Sequence, residues 1–258
     1  MKPYVLTAPP FEITSGGVRV MYGLYGWLLA KGQVAFMNQR PTSNDCIAIY
    51  PEIQQGNPAH ASVVVRYILN KPGVVPALMD DGTTQYGPTQ FDPNDKLYYF
   101  SKLYGDADDE HTLFLPILDL HLFKDQKKSR TKTCWMLGKG MNYQYQYMHP
   151  EDSIEIDRGF AQDQQALVDL LNECSVFYCY DPNTAMTEIA RLCGTRVIMF
   201  NRLYSKEEFQ KYEPGMNGIT WGHEQEVPLD TEAFRDHYQF LRLLFEQKLD
   251  KFIDATQI

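Results

Sequence analysis

Ser175 to Phe200, SVFYCYDPNTAMTEIARLCGTRVIMF, reads as strand, turn, helix and strand. Val176 to Tyr180 is an apolar run of strand length, Asp-Pro-Asn-Thr punctuates it, and a helical span opens at Thr184. Gly194 stops that helix, and Val197 to Phe200 supplies a second apolar run, which completes a βαβ unit. Asp181 or Asn183 can cap the helix. The first-turn amides around Thr184 and Ala185 then point beyond the carboxyl end of the first strand, a position that favours an anion, phosphate above all. Glu188 stands one turn further in, on the same helix side as Thr184, where a carboxylate suits the paired hydroxyls of a ribose. The same residues also fit a plain buried strand with its crossover helix, Glu188 then being a solvated helix residue.

Outward from this stretch, composition narrows the possible classes. A chain of 258 residues can bury a substantial core, as one large domain or as two of about 110–130 residues. A net charge of −9 argues against a broad phosphate-neutralising surface for nucleic acid, though not against a local basic pocket. The five cysteines, Cys46, Cys134, Cys174, Cys179 and Cys193, are odd in number and lack the short paired spacing of a zinc ribbon or redox motif. They read as reduced, buried thiols of a cytosolic protein. MKPYVLTAPPFEI has no basic segment followed by an apolar core, so no leader is expected, and no uncharged apolar run approaches the roughly 18 residues of a membrane span.

From the beginning of the chain, Pro3 to Ala8 reads as a strand, Ser15-Gly16-Gly17 opens a helix over Val18 to Lys31, and QVAFMN is the next strand. Gly16 and Gly17 stand where a ligand would need backbone without side chains. Strand CIAIYPEI follows, then the turn QQGNPAH, a helix over Ala61 to Asn70, a short strand in Val74 to Met79, a strand over Leu97 to Ser101, and a buried strand in TLFLPILDLHLF. Glu12, Glu52 and Asp80 each follow an expected strand end, where the ligand loops of open α/β sheets gather. They are the candidates for a general base. Glu52 ranks first, because Tyr50-Pro51 fixes the exit direction and Gly56-Asn57-Pro58 turns the chain back beneath it. A surface carboxylate or plain turn chemistry fits these positions equally.

FKDQKKSRTK reads as a charged hinge, so a first domain is expected over residues 1–125 and a second over 126–230. The second opens with TCWMLGKGMN, a strand running into Gly138-Lys139-Gly140. A lysine between glycines can reach a phosphate, or simply sit at the surface. Strand DSIEIDR, with Arg158 just past it as a pocket or loop residue, leads to a helix over Gln162 to Glu173. SKEEFQKY is a short capped helix and EPGMNGITWG a turn into a brief strand. Thr231 to Ile253 is a long helix whose apolar face, Phe234, Tyr238, Leu241, Phe245, Leu249 and Phe252, must pack, and residues 231–258 are expected as a C-terminal helix that packs across the two domains.

Against this pattern, TEIARLCGTRVIM resembles the C-terminal nucleotide-binding segment of GT-B glycosyltransferases, and SGGVRVMYGLYGWLLAKG resembles the Gly-Gly element of their first domain. Lys139 matches, in order, a basic residue that meets the pyrophosphate in that family, while the family's upstream second glutamate falls at Tyr180. The resemblance implies an α/β chain of two Rossmann-like domains with mostly parallel sheets facing each other across a cleft, and a C-terminal helix crossing back. It implies a cytoplasmic, metal-independent transferase that takes a sugar from a nucleotide diphosphate donor to an acceptor hydroxyl. No cofactor is expected, since DADD at Asp106 to Asp109 lies in an acidic turn rather than in the place of a metal-binding Asp-x-Asp. The donor would meet Gly16, Gly17, Lys139, Arg158, Tyr180, Asp181, Asn183, Thr184, Ala185 and Glu188. Two other classes share this pattern: a sugar-nucleotide epimerase of the same build, and an inactive nucleotide-binding module.

Overall fold

Tyr4-Val5-Leu6, Ile47-Ala48-Ile49-Tyr50 and Tyr67-Ile68 bury almost every side chain, as strands covered on both faces must. In the computed structural model, which describes residues 1–39, 43–79, 83–85, 87 and 89–257, these runs lie in one parallel sheet. The expected site residue Asp80 lies outside the described residues. The elements of the first half are β1 (Tyr4–Leu6), α1 (Gly16–Ala30), β2 (Ala35–Met37), β3 (Ile47–Pro51), β4 (Val63–Ile68), β5 (Ala77–Leu78), β6 (Thr84–Gln85) and β7 (Lys96–Tyr99). The sheet order is β2-β1-β3-β4-β7, every neighbouring pair parallel, and β5 with β6 forms a small antiparallel pair.

Two expectations fail here. Ala61 to Asn70 is not a helix but contains β4. Three consecutive valines, Val63 to Val65, are stiff at χ1 and favour extended backbone, and pairing with both β3 and β7 satisfies the strand's amides and carbonyls. TLFLPILDLHLF buries Leu113, Phe114 and Leu115 as expected but pairs with β7 only through a bridge of Thr112 to Tyr99, and Pro116 cannot continue a ladder.

The second half contains β8 (Lys132–Met136), β9 (Ile154–Glu155), α2 (Arg158–Gln162), α3 (Gln164–Glu173), β10 (Cys174–Cys179), α4 (Met186–Leu192), β11 (Arg196–Met199), α5 (Lys206–Phe209), β12 (Ile219–Trp221) and α6 (Thr231–Thr256). Its sheet runs β12-β11-β10-β8-β9, again parallel throughout. Each sheet therefore has its first strand between its second and third. Strand order reverses between first and third, which is where open α/β sheets hold ligands, beyond the strands' carboxyl ends.

The chain divides into two compact units, residues 1–117 with 241–258, and residues 118–240. The first boundary thus falls before the charged stretch FKDQKKSRTK, not after residue 125, because that stretch is tied into the second unit. Asn172 Nδ2 donates to the Lys124 carbonyl and its Oδ1 accepts from Gln126 N, while the Arg130 guanidinium donates to Asp125 and to the carbonyls of Leu171, Cys174 and Cys193. α6 contributes its first part to one unit and, from Leu241 onward, its remainder to the other. All five cysteines are buried and free, and among the described residues no helix is long and apolar enough to cross a membrane.

Arg66 on β4 is the most consequential buried charge of the first unit. Its Nε lies 2.6 Å from Asp95 Oδ2, and Nη1 and Nη2 donate to the carbonyls of Gln54 and Gly56 at 2.8 and 2.5 Å. It pins the loop that leaves β3. Arg66→Met removes one partner of a buried ion pair, and the expected cost is about 3–5 kcal/mol, read as a lower denaturation midpoint for the first unit. An unchanged midpoint would show that the pair does not hold that loop.

Candidate functional site

β8 and β10 are neighbours, so the two chains leaving their carboxyl ends lie side by side at the point where the second sheet's order reverses. β8 runs into the 3₁₀ turn Gly138–Asn142, and β10 runs into Tyr180 and Asp181. Asp181, 2% exposed, collects the donors of both exits: Lys139 N at 2.9 Å, Lys139 Nζ at 3.0 Å and Asn183 N at 2.9 Å. The two glycines flanking Lys139 are required by this contact. A Cβ on Gly138, already at φ +51, would overlap Asp181 Oδ2, and one on Gly140 would overlap the Tyr180 carbonyl oxygen. Lys139 is therefore clasped to Asp181 rather than standing bare for a phosphate.

Neither Asp181 nor Asn183 caps α4, whose N-cap is Ala185. Thr184 Oγ1 accepts from Met186 N at 3.3 Å instead. Among the described residues the amides of Thr184 and Ala185 make no hydrogen bond. Glu188 is not a solvated helix residue. It is 2% exposed, Tyr212 hydrogen-bonds its carboxylate, and burial, opposed by the charge of Arg191, pushes its pKa up. Arg191 is wholly buried as well, its pKa drawn down to about 10 by burial. It donates to the carbonyls of Thr187, Gly215 and Asn217 and lies 3.9 Å from the Phe234 ring centroid. Two atoms of this network, Glu188 Oε1 and Arg191 Nη2, are buried with no hydrogen-bond partner among the described residues.

Tyr180, where the resembling family carries glutamate, is fully buried, and its hydroxyl accepts from Met148 N at 2.8 Å. It organises the turn after β8 rather than offering a charge. Arg158 begins α2 behind β9, exposed, and is not brought to this cluster. Arg202, which the sequence does not single out, is exposed just past β11 with its guanidinium 5.8 Å from the Tyr145 ring. Its only signal in the sequence is its place after the apolar run Val197 to Phe200.

The first unit repeats the arrangement with different chemistry. β1 leads to Glu12, which accepts from Thr14 Oγ1 at 2.7 Å, and then to Gly16 and Gly17 at the start of α1. β3 leads directly to Glu52, 5% exposed, whose Oε2 accepts from Leu69 N at 2.9 Å. A Cβ on Gly17 would lie 3.6 Å from Leu69, so α1 opens against the same residue that holds Glu52. Burial raises the Glu52 pKa to about 7 against the opposing hydrogen bonds from Leu69 and Asn70. An open groove of this unit lies elsewhere, beside β7 with β4 between it and β3, lined by Asp95, Tyr99, Asp106, Asp108, His111 and Ala255 among others. It is lined by β7, the acidic turn and the end of α6, and it holds none of the expected site residues. Among the described residues no three His, Cys, Asp or Glu side chains gather as metal ligands would.

No family model matches this sequence, and no curated protein matches it. Among the solved structures similar at low level are the following two. One is a functionally uncharacterised protein of Klebsiella pneumoniae subsp. pneumoniae NTUH-K2044, at 11% identity, 86% of this chain, 93% of that one and a TM-score of 0.39. The other is spinosyn forosaminyltransferase, at 11% identity, 100% of each chain and a TM-score of 0.39. The reading of function rests on the residues of the two switch points.

Glu52 makes one consequence measurable without knowledge of substrate. Its folded pKa stands above that of the unfolded chain, so the folded state holds its proton at pH values where the unfolded state has lost it. Stability is then greatest below about pH 4.5 as far as this group is concerned, and falls as pH rises to about 7, by up to roughly 3 kcal/mol. Expected is a denaturation midpoint of the first unit that drops between pH 5 and pH 8 in the native chain and stays flatter in Glu52→Gln. Identical pH profiles would show that Glu52 is ionised at ordinary cost.

Proposed function

We propose that the chain transfers a sugar from a nucleotide diphosphate donor to an acceptor hydroxyl, with the donor held at the switch point between β8 and β10. The observation that carries this reading is Glu188 Oε1, a buried carboxylate oxygen without a hydrogen-bond partner, one turn into the helix that follows β10. An unsatisfied buried acceptor costs about 1–3 kcal/mol, and a ribose hydroxyl, once the side chains that close this oxygen off from solvent move aside, is a neutral donor that would relieve it. The turn before Glu188 supplies the next contact: the unbonded amides of Thr184 and Ala185 suit diphosphate oxygens. Lys139 adds a charge that is shared with Asp181. An ammonium has three donors, so it can meet a phosphate oxygen while remaining on Asp181.

In the reaction, negative charge grows on the leaving nucleoside diphosphate. Fixed amides and a held lysine stabilise that charge without reorganising, and no metal is called for. The proton of the attacking hydroxyl needs a base. Glu52 suits that role, because a carboxylate titrating near pH 7 is both deprotonated in use and basic enough to take a proton. Replacing it with Gln keeps the shape and is expected to lower turnover by roughly 10²–10⁴-fold with donor affinity intact.

Calorimetry with uridine, UDP and UDP-sugars, then their guanosine counterparts, all in excess EDTA, tests the donor site. Lys139→Ala is expected to weaken diphosphates by tenfold or more and to spare nucleosides; equal losses for both would take Lys139 out of the phosphate site. Glu188→Gln is expected to weaken nucleoside and diphosphate alike, by about 1.5–3 kcal/mol, since both carry the ribose. Gln rather than Ala is chosen because it keeps the side chain's volume and hydrogen-bonding atoms beside Tyr212; either substitution removes the charge opposite Arg191, so folding is checked first. Unchanged affinity in a folded Glu188→Gln protein would make Glu188 a purely structural partner of Arg191 and Tyr212.

A further inference from the structure

Residues 141–149, MNYQYQYMH, alternate tyrosine with glutamine and contain no Asp, Glu, Lys or Arg, in a chain of which 22% is charged. Loops of this exposure ordinarily carry charge. The loop is also anchored. Tyr145 donates its hydroxyl proton to the Tyr180 carbonyl at 3.0 Å, Met148 N donates to the Tyr180 hydroxyl, and His149 Nδ1 lies 3.1 Å from the same hydroxyl. The His149 ring stacks on Trp135 at 4.4 Å and 13°. These ties draw Tyr145 and His149 inward and leave Tyr147 standing out, 51% exposed, with its ring braced at 5.5 Å from Trp135 and 5.4 Å from Tyr180. Gln144 and Gln146 are exposed on either side of Tyr145.

We propose that this loop is a platform for an uncharged oligosaccharide. A pyranose presents an apolar C–H face and a rim of hydroxyls, and its natural complement is a rigid aromatic face flanked by side-chain amides, which both donate and accept. Tyr147 supplies the face at small entropic cost, because its ring is already braced, and Gln144 and Gln146 supply the amides. An anionic ligand would find no cation within the loop. Among the described residues, the Arg202 guanidinium lies over Tyr145, 5.8 Å from its ring centroid. The platform goes beyond the donor reading and does not depend on it, since neither Glu188 nor Lys139 belongs to it.

The test is calorimetric titration of the full chain with cellohexaose, maltohexaose and chitohexaose, and with uridine as the flat aromatic alternative. Expected is saturable binding of at least one hexasaccharide, weakened tenfold or more by Tyr147→Ala, retained by Tyr147→Phe, and weakened about threefold by Gln144→Ala with Gln146→Ala. The melting temperature of Tyr147→Ala is expected to match that of the native chain, as half-exposed Tyr147 makes no side-chain hydrogen bond among the described residues. Failure of all three hexasaccharides to bind, or equal binding by the native and Tyr147→Ala chains, overturns the proposal. Uridine binding lost with Tyr147→Ala in the absence of hexasaccharide binding would make the loop a nucleobase shelf and likewise overturns it.

Discussion

The carboxylate of Asp181 is the constraint on which the turns at the carboxyl end of the second sheet depend. It is almost wholly buried, yet it is an anion, and burial without compensation would be prohibitive. Two backbone amides and one ammonium compensate it, and these come from both chain exits, so Asp181 fixes the spacing between the turn after β8 and the turn after β10. That contact demands Gly138 and Gly140, orients Lys139, and leaves the amides of Thr184 and Ala185 as the unbonded donors of the turn. Tyr180 does the complementary work on the other side of the backbone, gathering the loop of residues 145–149 onto its hydroxyl and carbonyl.

Behind this surface, α4 carries a buried carboxylate and a buried guanidinium on one short helix. Arg191 spends its donors on the carbonyls of the turn before β12, and so holds that turn against α4 beneath the ring of Phe234. Glu188 supplies the counter-charge with one oxygen still unsatisfied. A network built for stability alone would close this gap, because an unpaired buried acceptor is costly. The remaining oxygen is the feature on which the proposed ribose contact rests. In the first unit Glu52, at a strand exit, is held by backbone amides, and among the described residues no cation pairs with it.

Much of this fold was legible in the chain because parallel strands buried on both faces leave uninterrupted apolar runs. Val176 to Tyr180, Val197 to Phe200 and Ile47 to Tyr50 announced themselves in this way. β4 did not, because Val63 to Ile68 includes Arg66. A charge inside an apolar run looks like the polar face of a helix until Asp95, distant in sequence, is known to neutralise it. The site was legible as a set of positions but not as a set of contacts. Gly138, Lys139 and Asp181 were all in view, yet nothing in local sequence shows that the lysine belongs to the aspartate rather than to a ligand. Glu188 was placed on the correct helix, while its burial depended on Tyr212 and Arg191, whose side chains reach it only in the folded unit. The charged stretch FKDQKKSRTK misled for a similar reason: its arginine and backbone are consumed by buried partners on α3 and the exit of α4.

Hydrogen exchange of the full chain with and without UDP tests most directly whether the β8/β10 switch point is where ligand sits. Slower exchange is expected at the amides of residues 138–140 and 184–188 when UDP is present, with the β7 groove unchanged. Unaltered exchange in those two segments at saturating nucleotide, or protection that appears instead at Asp95, Tyr99 and His111, would contradict a donor site at Asp181 and Glu188.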